Sequence, residues 1–343
     1  MGNVKIINPG LITLVEDSGR YGYQQYGVPV SGVMDSYSYR LGNILVGNKE
    51  GAAVLEAAMM GPTIEFSDQM VIAITGGNLS PTLNGSAIPM WQSILVNKGD
   101  RLIFTGLRAG CRSYIAFSGG IDVPEVMGSK STYTRGRIGG YNGRALKSGD
   151  LLGVRHPGED PGRLSGIKVP DEYIPDYPNT LELRVIIGPQ DDHFTLEGMQ
   201  AFLSEQYEVT SECDRMGYRL KGKKIEHVKS GDIISDGIAM GAVQVPGHGQ
   251  PIIMLADRQT TGGYTKIANV ISVDLPKIAQ AKPGDRIKFV KVTVRKAQQM
   301  LREMEDKIAA VKKACVPWKV VTTRLLTLRI DGKCYNVKVE EIK

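Results

Sequence analysis

Short apolar runs separated by glycine-containing turns fill most of this chain, and they limit its fold more than any other feature. The 343 residues include 41 glycines. Runs that are rich in β-branched or large apolar residues and bounded by Gly, Asp or Pro are typical of strands. The sequence therefore predicts a mainly β protein, long enough for two domains and a tail. The candidate strands are Val71–Thr75, Arg101–Phe104, Ser113–Phe117, Leu181–Ile187, Pro251–Leu255 and Arg286–Val290.

One turn pattern, with Lys, Gly and Asp, precedes four of the short apolar runs. Glycine permits the positive φ of such a turn, and the aspartate can accept hydrogen bonds from nearby backbone N–H groups. Two of these turns lie in each half of the chain, separated by 50 and 53 residues. They are Lys98–Asp100, Lys147–Asp150, Lys229–Asp232 and Lys282–Asp285.

A second correspondence indicates an internal duplication. Ser36–Val46 and Thr195–Leu203 each have the pattern of a short helix that begins at an N-cap residue. Related strings, Gly61–Glu65 and Gly222–Glu226, follow at similar distances. We therefore expect two similar β-rich domains, each with a helix. The predicted division is residues 1–155 for the first domain, 156–180 for a linker rich in Pro, Gly and charge, 181–292 for the second domain and 293–343 for a tail.

The tail changes to a helical pattern and then to a hairpin. Apolar residues from Ala297 to Cys315 recur at alternating spacings of four and three, which predicts one apolar seam on a helix that ends before Pro317. Two strand-like runs follow, separated by Asp331-Gly332, a dipeptide typical of hairpin turns. Two interpretations stay open: the tail packs on its own barrel, or it binds a partner.

Charge and cysteine usage exclude several classes of protein. Residues 293–343 hold 12 Lys or Arg and 6 Asp or Glu, so the whole net charge of +6 lies in the tail and the rest is balanced. The main body therefore has no basic excess for a nucleic acid. The four cysteines are far apart, with no CxxC pair, which favours a reduced cytosolic protein. The sequence has neither the apolar span of a membrane helix nor the pattern of a secretory signal, so we expect a cytoplasmic location and no membrane.

Phosphate-binding and metal-binding motifs are incomplete. Gly217–Lys224 fits GxxxxGK, but Lys224 stands where a Ser or Thr would bind Mg²⁺, and a strand-like run follows instead of a helix. The histidines have no metal-ligand spacing. His193 has the sequence context of an exposed helix start and His248 that of a flexible loop, although His193 could also be a general base. We therefore predict no metal site in this chain and no ATP binding by the segment Gly217–Lys224.

Asp and Arg occur together near glycines in three places: 16–35, 214–217 and 244–264. Arginine presents a planar fork suited to carboxylates, and Asp can orient it. Any single pair could simply pin a loop, but three such clusters favour a binding cleft. The candidate catalytic residues are Asp257, Arg258 and Asp214. The candidate substrate-binding residues are Arg20, Asp35, Arg215, Gln244, Arg258, Gln259, Thr260 and Tyr264.

The same clusters carry a family resemblance. The strings Glu16–Gly22, Gly27–Asp35, Gly119–Pro124, Asp214–Gly217, Gln244–Pro246 and Asp257–Tyr264 resemble the biotin-dependent carboxyltransferase-like family, from about residue 4 to residue 292. That family includes the C subunits of 5-oxoprolinases, the allophanate hydrolase subunit 2 domain of urea carboxylases and Kip-type regulators. The resemblance implies two similar cyclophilin-like β-barrel domains and a B-type partner.

For function, the resemblance implies the C subunit of an ATP-dependent 5-oxoprolinase, which works with A and B subunits and opens 5-oxoproline to L-glutamate. ATP would be handled mainly by a partner. Two alternatives share the fold: a biotin-dependent carboxyltransferase acting on a urea-like acceptor, and a non-catalytic Kip-type protein that binds an inhibitor of a sensor kinase. Fold alone does not separate them.

The chain departs from the family pattern at two positions and extends past it. Glu16 stands where Gln is frequent, and Lys130 stands where Arg is frequent, which weakens Lys130 as a bidentate anion ligand. Residues 328–342 resemble the hairpin that leads into biotin-carrier domains. No Met-Lys-Met follows, so we expect no covalently bound biotin.

Overall fold

The computed structural model describes residues 2–156, 161–317 and 320–342, and strands dominate them, as the sequence predicts. Residues 2–156 are called here the first domain and residues 180–292 the second. In the first domain, helix α1 is Ser36–Leu45. Its strands are β1 (Gly2–Asn8), β2 (Ile12–Glu16), β3 (Val54–Ala58), β4 (Thr63–Phe66), β5 (Met70–Asn78), β6 (Pro81–Leu83), β7 (Ser86–Ala87), β8 (Ser93–Val96), β9 (Arg101–Phe104), β10 (Ala109–Phe117), β11 (Ile121–Asp122) and β12 (Leu151–Val154).

The strands of the first domain form two sheets that share one core. One sheet has the order β11-β12-β1-β4-β9-β6-β7 and the other β2-β3-β10-β5-β8. Alternate residues of β1, such as Val4 and Ile6, are buried in the same cluster as Ile72 and Ile74 of strand β5. This period of two is what a strand with one solvated face requires.

The linker between the domains packs on the first domain. It contains helix α2 (Pro161–Leu164) and a 3₁₀ helix (Asp171–Tyr173). Leu164 and Val169 are buried in the core cluster that also holds α1 residues. Residues 157–160 of the predicted linker lie outside the described ranges.

The second domain is a closed barrel of seven strands. Its strand β13 pairs in parallel with β20 and antiparallel with β19, which closes the ring, and β16 adds to β19 outside it. Phe202 and Phe289 stack inside at 4.4 Å between ring centroids. The elements are β13 (Thr180–Ile187), α3 (Leu196–Ser204), β14 (Gln206–Cys213), β15 (Gly217–Lys221), β16 (Asp232–Gly237), β17 (Ala242–Val245), β18 (Ile252–Met254), β19 (Thr261–Val270), α4 (Leu275–Ala279) and β20 (Arg286–Lys291), with 3₁₀ helices at Asp191–His193 and Ser272–Asp274.

The two predicted helices and the repeated turn are confirmed. Asp35 caps α1 by accepting from Ser38 N, and Thr195 caps α3 by accepting from Gly198 N. In three of the four turns the glycine has φ between 87° and 91° and the aspartate accepts from the backbone N–H three residues before it. These turns end at Asp100, Asp150 and Asp285; the fourth, at Asp232, closes through Ser230 Oγ instead.

The tail helix α5 (Val294–Ala314) packs on the first domain. Ile308 and Val311 are buried in the cluster that contains Tyr39 and Leu41 of α1. Ion pairs flank this contact, with Arg40 NH1 at 2.6 Å from Glu305 and Lys312 Nζ at 3.0 Å from Glu50. For the helix, the interpretation that the tail packs on its own barrel is therefore confirmed.

The hairpin that follows extends away from the two domains. Strands β21 (Val320–Ile330) and β22 (Lys333–Ile342) pair with each other around Asp331-Gly332, where both residues have positive φ, as the predicted turn requires. In the sheets of the described residues the two strands pair only with each other, and Leu325 is 79% exposed. No helix among the described residues is long and apolar enough to cross a membrane.

Truncation of Ile308, which is 1% exposed, tests the docking of α5. We expect Ile308→Ala to lower the free energy of unfolding by about 2–5 kcal/mol, because the buried contact with α1 is lost and a cavity remains. Urea unfolding measures this change. Leu301→Ala on the same helix is the matched control, since Leu301 is 38% exposed. An equal effect of the two substitutions would contradict the observed packing.

Candidate functional site

Arg215 joins the three Asp–Arg clusters of the sequence. It lies in the turn between β14 and β15 and is 9% exposed. Its Nε and NH2 donate to the two carboxylate oxygens of Asp257 at 3.0 and 3.1 Å. NH2 also donates to Gly32 O at 2.6 Å, in the first domain. One guanidinium therefore connects segments 16–35, 214–217 and 244–264.

Glu56 completes this centre from strand β3. Its Oε1 accepts from Arg215 NH1 at 2.7 Å, and its Oε2 accepts from Met34 N and Tyr114 OH at 2.8 and 2.9 Å. Sequence reasoning missed Glu56. The one signal for it was a carboxylate inside the apolar run 53–58, where burial needs a partner.

Glu16 is the second acid of the centre, and it is fully buried. Its Oε1 lies 3.4 Å from Arg215 NH2, but neither carboxyl oxygen makes a hydrogen bond to a described residue. Burial raises the pKa of Glu16 well above its ordinary value; Arg215 opposes the rise, and the charges of Asp257 and Glu56 add to it.

A second set of contacts fixes the loop of Asp17. Its carboxylate accepts from Ser129 Oγ, Ser131 Oγ and Lys130 N. Arg20 donates to the carbonyl oxygens of Val126 and Ser131, and its NH1 has no partner among the described residues. Lys130 Nζ donates to Ile121 O. Arg20 and Lys130 therefore donate to backbone carbonyl groups around this loop.

Asp35 and Gln280 join the domains at another point. Asp35 caps α1 and accepts from Gln280 Nε2 at 2.8 Å. Gln280 Oε1 accepts from the backbone N–H groups of Cys111 and Arg112, where the β5–β10 pairing is irregular. Glycine is needed beside it, because a Cβ at Gly110 would come within 2.7 Å of Gln280 Oε1. Asp35 therefore has a structural role, and it also borders a groove of about 470 Å³ beneath α5.

The catalytic candidates occupy different environments. Asp257 is held by Arg215, whereas Arg258 is 4% exposed and donates to the carbonyls of Ile238 and Leu255. Burial lowers the pKa of Arg258. Asp214 is exposed, and its Oδ1 accepts from Met216 N at 2.7 Å. Of the three, only Asp214 reaches open space.

A cavity of about 530 Å³ opens at the mouth of the second barrel, here called the barrel-mouth cavity. Gln244 is 1% exposed, and its Nε2 has no partner among the described residues. Arg135 reaches across from the first domain, 3.9 Å from Asp214. Thr260 does not line the cavity, and its carbonyl accepts from Ile238 N. The polar lining includes Arg135, Asp214, Arg219, Gln244, Gln259 and Tyr264.

A second cavity of about 290 Å³ lies between the domains, here called the interdomain cavity. Asp214 and Cys213 line both cavities, so the end of β14 forms their common wall. Arg112, Arg215 and Glu56 lie on the polar side of the interdomain cavity. A buried guanidinium next to apolar walls suits a small anionic ligand.

The incomplete motifs of the sequence lie in a strand and in loops. Gly217–Lys221, the first part of the GxxxxGK-like string, is strand β15, and the run 225–228, which was predicted to be strand-like, forms only an isolated bridge between His227 and Phe194. His193 lies in a short 3₁₀ helix, and His227 Nε2 contacts Val245 O and Thr265 Oγ1, with burial lowering its pKa. Within the described ranges there is no group of three or more His, Cys, Asp or Glu placed to hold a metal ion.

Comparison with known proteins assigns this arrangement to a family. The sequence profile of the carboxyltransferase domain, subdomains A and B, matches residues 26–291. The C subunit of the 5-oxoprolinase of Escherichia coli (strain K12) is 36% identical over 302 residues, which is 88% of this chain and 95% of that protein.

Two solved structures have the same fold. The urea amidolyase of K. lactis superposes with a TM-score of 0.84 at 34% identity, over 90% of this chain and 20% of that one. The Kluyveromyces lactis urea carboxylase superposes with a TM-score of 0.85 at 30% identity, over 99% of this chain and 32% of that one. This chain thus spans a fifth to a third of those two longer proteins.

The buried acid Glu16 leads to a pH-dependent prediction. A raised pKa means that the folded protein keeps a proton that the unfolded chain releases above about pH 4.3. In the wild type, the contribution of Glu16 to the free energy of unfolding is fully present below that pH. It is lost as the pH rises through the pKa that Glu16 has in the folded protein.

We therefore expect Glu16→Gln to raise the melting temperature, by an increment that grows from pH 5 to pH 8, in thermal unfolding curves. Glu125→Gln, at an exposed position, is the control. An increment that stays constant or shrinks with pH would show that Glu16 is ionised in the folded protein.

Removal of Arg215 tests the centre as a whole. Arg215→Ala leaves Asp257, Glu56 and Glu16 buried without their cation, and we expect a loss of about 3–5 kcal/mol in the free energy of unfolding. Arg219→Ala on the same hairpin removes an exposed ion pair with Glu212 and should change stability by less than about 1 kcal/mol. Similar losses from both, in urea titrations, would contradict the central role of Arg215.

Proposed function

Because the chain belongs to the carboxyltransferase family with subdomains A and B, we propose that it is the C subunit of an ATP-dependent 5-oxoprolinase, acting with A and B subunits. One observation carries the proposal: the corresponding 5-oxoprolinase subunit of E. coli matches across 95% of its own length. The same match covers 88% of this chain.

The reaction opens a five-membered lactam to a carboxylate and an amine. The lactam is unstrained and resonance-stabilised, so water attacks it slowly unless the carbonyl is activated. Phosphorylation of the amide oxygen by ATP supplies that activation. The segment 217–224 offers no helix N-terminus to a phosphate, so we assign the nucleotide mainly to a partner subunit.

We assign 5-oxoproline to the barrel-mouth cavity. Gln244 Nε2 is an unpartnered buried donor on its wall and suits the lactam carbonyl oxygen. Arg135 and Arg219 offer guanidinium groups for the substrate carboxylate, and Gln259 and Tyr264 line the same cavity.

The catalytic candidates divide by position. Asp214 lines the cavity and can accept a proton from an attacking water molecule, so it is the candidate base. Asp257 holds Arg215, and Arg258 holds the backbone at Ile238, so both are positioning residues in this scheme.

A biotin-dependent carboxyltransferase that acts on a urea-like acceptor is the second candidate. One observation favours it: the K. lactis urea carboxylase superposes on 99% of this chain and so extends into the tail. This candidate requires a separate biotin carrier that binds the β21–β22 hairpin. Deletion of residues 328–342 should then abolish carrier binding, and unchanged binding would remove this candidate.

Reconstitution tests the main proposal. The chain is mixed with its A and B partners, and glutamate release from 5-oxoproline and ATP is followed while each subunit is omitted in turn. Glutamate that forms only in the presence of this chain, without biotin, supports the oxoprolinase. A well-formed complex without turnover would favour the carboxyltransferase, or a purely regulatory pairing.

Gln244→Leu tests the site within that assay. We expect kcat/KM for 5-oxoproline to fall at least tenfold, about 1.4 kcal/mol, because a donor to the substrate is lost. Melting temperature and complex formation should stay unchanged. Gln200→Leu, at an exposed position of α3, is the control. Full activity of Gln244→Leu would exclude Gln244 from the substrate contacts while leaving the reconstitution result intact.

A further inference from the structure

Arg112 is a buried cation that lacks a hydrogen-bonded anion. It lies in β10 and is 5% exposed. The donor in each of its described side-chain hydrogen bonds is NH1. The acceptors are three neutral groups: Cys111 Sγ, Tyr218 OH and Ala279 O.

The carboxylate nearest to Arg112, that of Glu56, is engaged elsewhere. Its Oε1 lies 3.8 Å from Arg112 Nε, too far for a hydrogen bond, and binds Arg215 at 2.7 Å instead. Its Oε2 accepts from Met34 N and Tyr114 OH. Arg112 Nε has no partner among the described residues. A buried charge without hydrogen-bonded compensation is costly, and a ligand that supplies it gains that free energy.

Arg112 faces the interdomain cavity, whose other walls are mostly apolar. Its volume of about 290 Å³ suits a small molecule. The apolar lining comes from both domains, so a ligand there contacts both. It includes Leu11, Leu14, Ala58 and Met59 from the first domain and Ala281 and Pro283 from the second.

We propose that the interdomain cavity binds a small monocarboxylate with a compact apolar body, whose carboxylate accepts a hydrogen bond from NH2 of Arg112. Nε is itself enclosed by protein, and the described hydrogen bonds of the side chain use only NH1, so NH2 is the nitrogen left for a ligand, while the apolar walls contact the rest of the molecule. Glu56 and Asp214 also border the cavity, so a second negative charge on the ligand is disfavoured. Such binding involves this chain alone and does not depend on the proposed oxoprolinase activity.

Calorimetric titration of the full chain with cyclopentanecarboxylate tests the charge requirement. Cyclopentanecarboxamide has the same shape without the charge, and we expect it to bind at least tenfold more weakly. Equal binding of the two compounds to the wild-type chain, or no binding of the carboxylate, would overturn the proposal without any variant.

Two variants test the location. Arg112→Lys keeps a positive charge and removes NH2, and Ala58→Leu, opposite Arg112 in the β3–β10 pairing, fills the cavity and leaves the guanidinium group in the chain. We expect each to weaken carboxylate binding at least tenfold. The control is Arg101→Lys. Arg101 is an exposed residue of β9 that forms an ion pair with Glu65, and this variant should bind the carboxylate as the wild type does. If Arg112→Lys does not fold, Ala58→Leu decides: unchanged affinity in a folded Ala58→Leu chain would place the ligand elsewhere.

Discussion

The ionic centre around Arg215 is the interaction on which the arrangement of the two domains depends. Four of its partners, Asp257, Glu56, Glu16 and the carbonyl of Gly32, come from both domains and converge on one guanidinium. Buried ions stabilise a structure only when their geometry and hydrogen bonds are complete. Asp257 and Glu56 meet that condition through their hydrogen bonds, whereas Glu16 has none among the described residues, and burial raises its pKa. Contacts from both domains to one guanidinium fix where the domains meet.

The barrel-mouth cavity and the interdomain cavity both border that junction. The turn that carries Arg215 also carries Asp214, whose side chain reaches the open space on either side. A buried anchor and an exposed acid are thus neighbours in sequence. The buried neighbour keeps the turn in place while Asp214 remains accessible. Gln244 Nε2 and Arg112 Nε, on residues that line the two cavities, have no hydrogen-bond partner among the described residues.

Local features could be predicted from the sequence, and pairings over long distances could not. Strand runs, helices α1 and α3, the Thr195 cap and the Asp331-Gly332 turn depend on near neighbours, and all are confirmed. The cap of α1 is Asp35, one residue before the predicted Ser36. The three Asp–Arg clusters were also visible, but their pairing was not, because Arg215 binds Asp257, 42 residues away, rather than the adjacent Asp214. Glu56 and Arg112 were missed since each lies within an apolar strand, where pattern alone suggests core. The roles of the predicted site residues remain predictions.

Helix α5 links the two domains. It leaves the second domain just after β20, contacts Arg184 through Met300, and reaches the first domain at Arg40. The linker, Arg215 and the hydrogen bond between Gln280 and Asp35 are further connections across the same boundary. The walls of the clefts between the domains are therefore held at several points that lie far apart in the sequence, and the loss of one contact leaves the others in place.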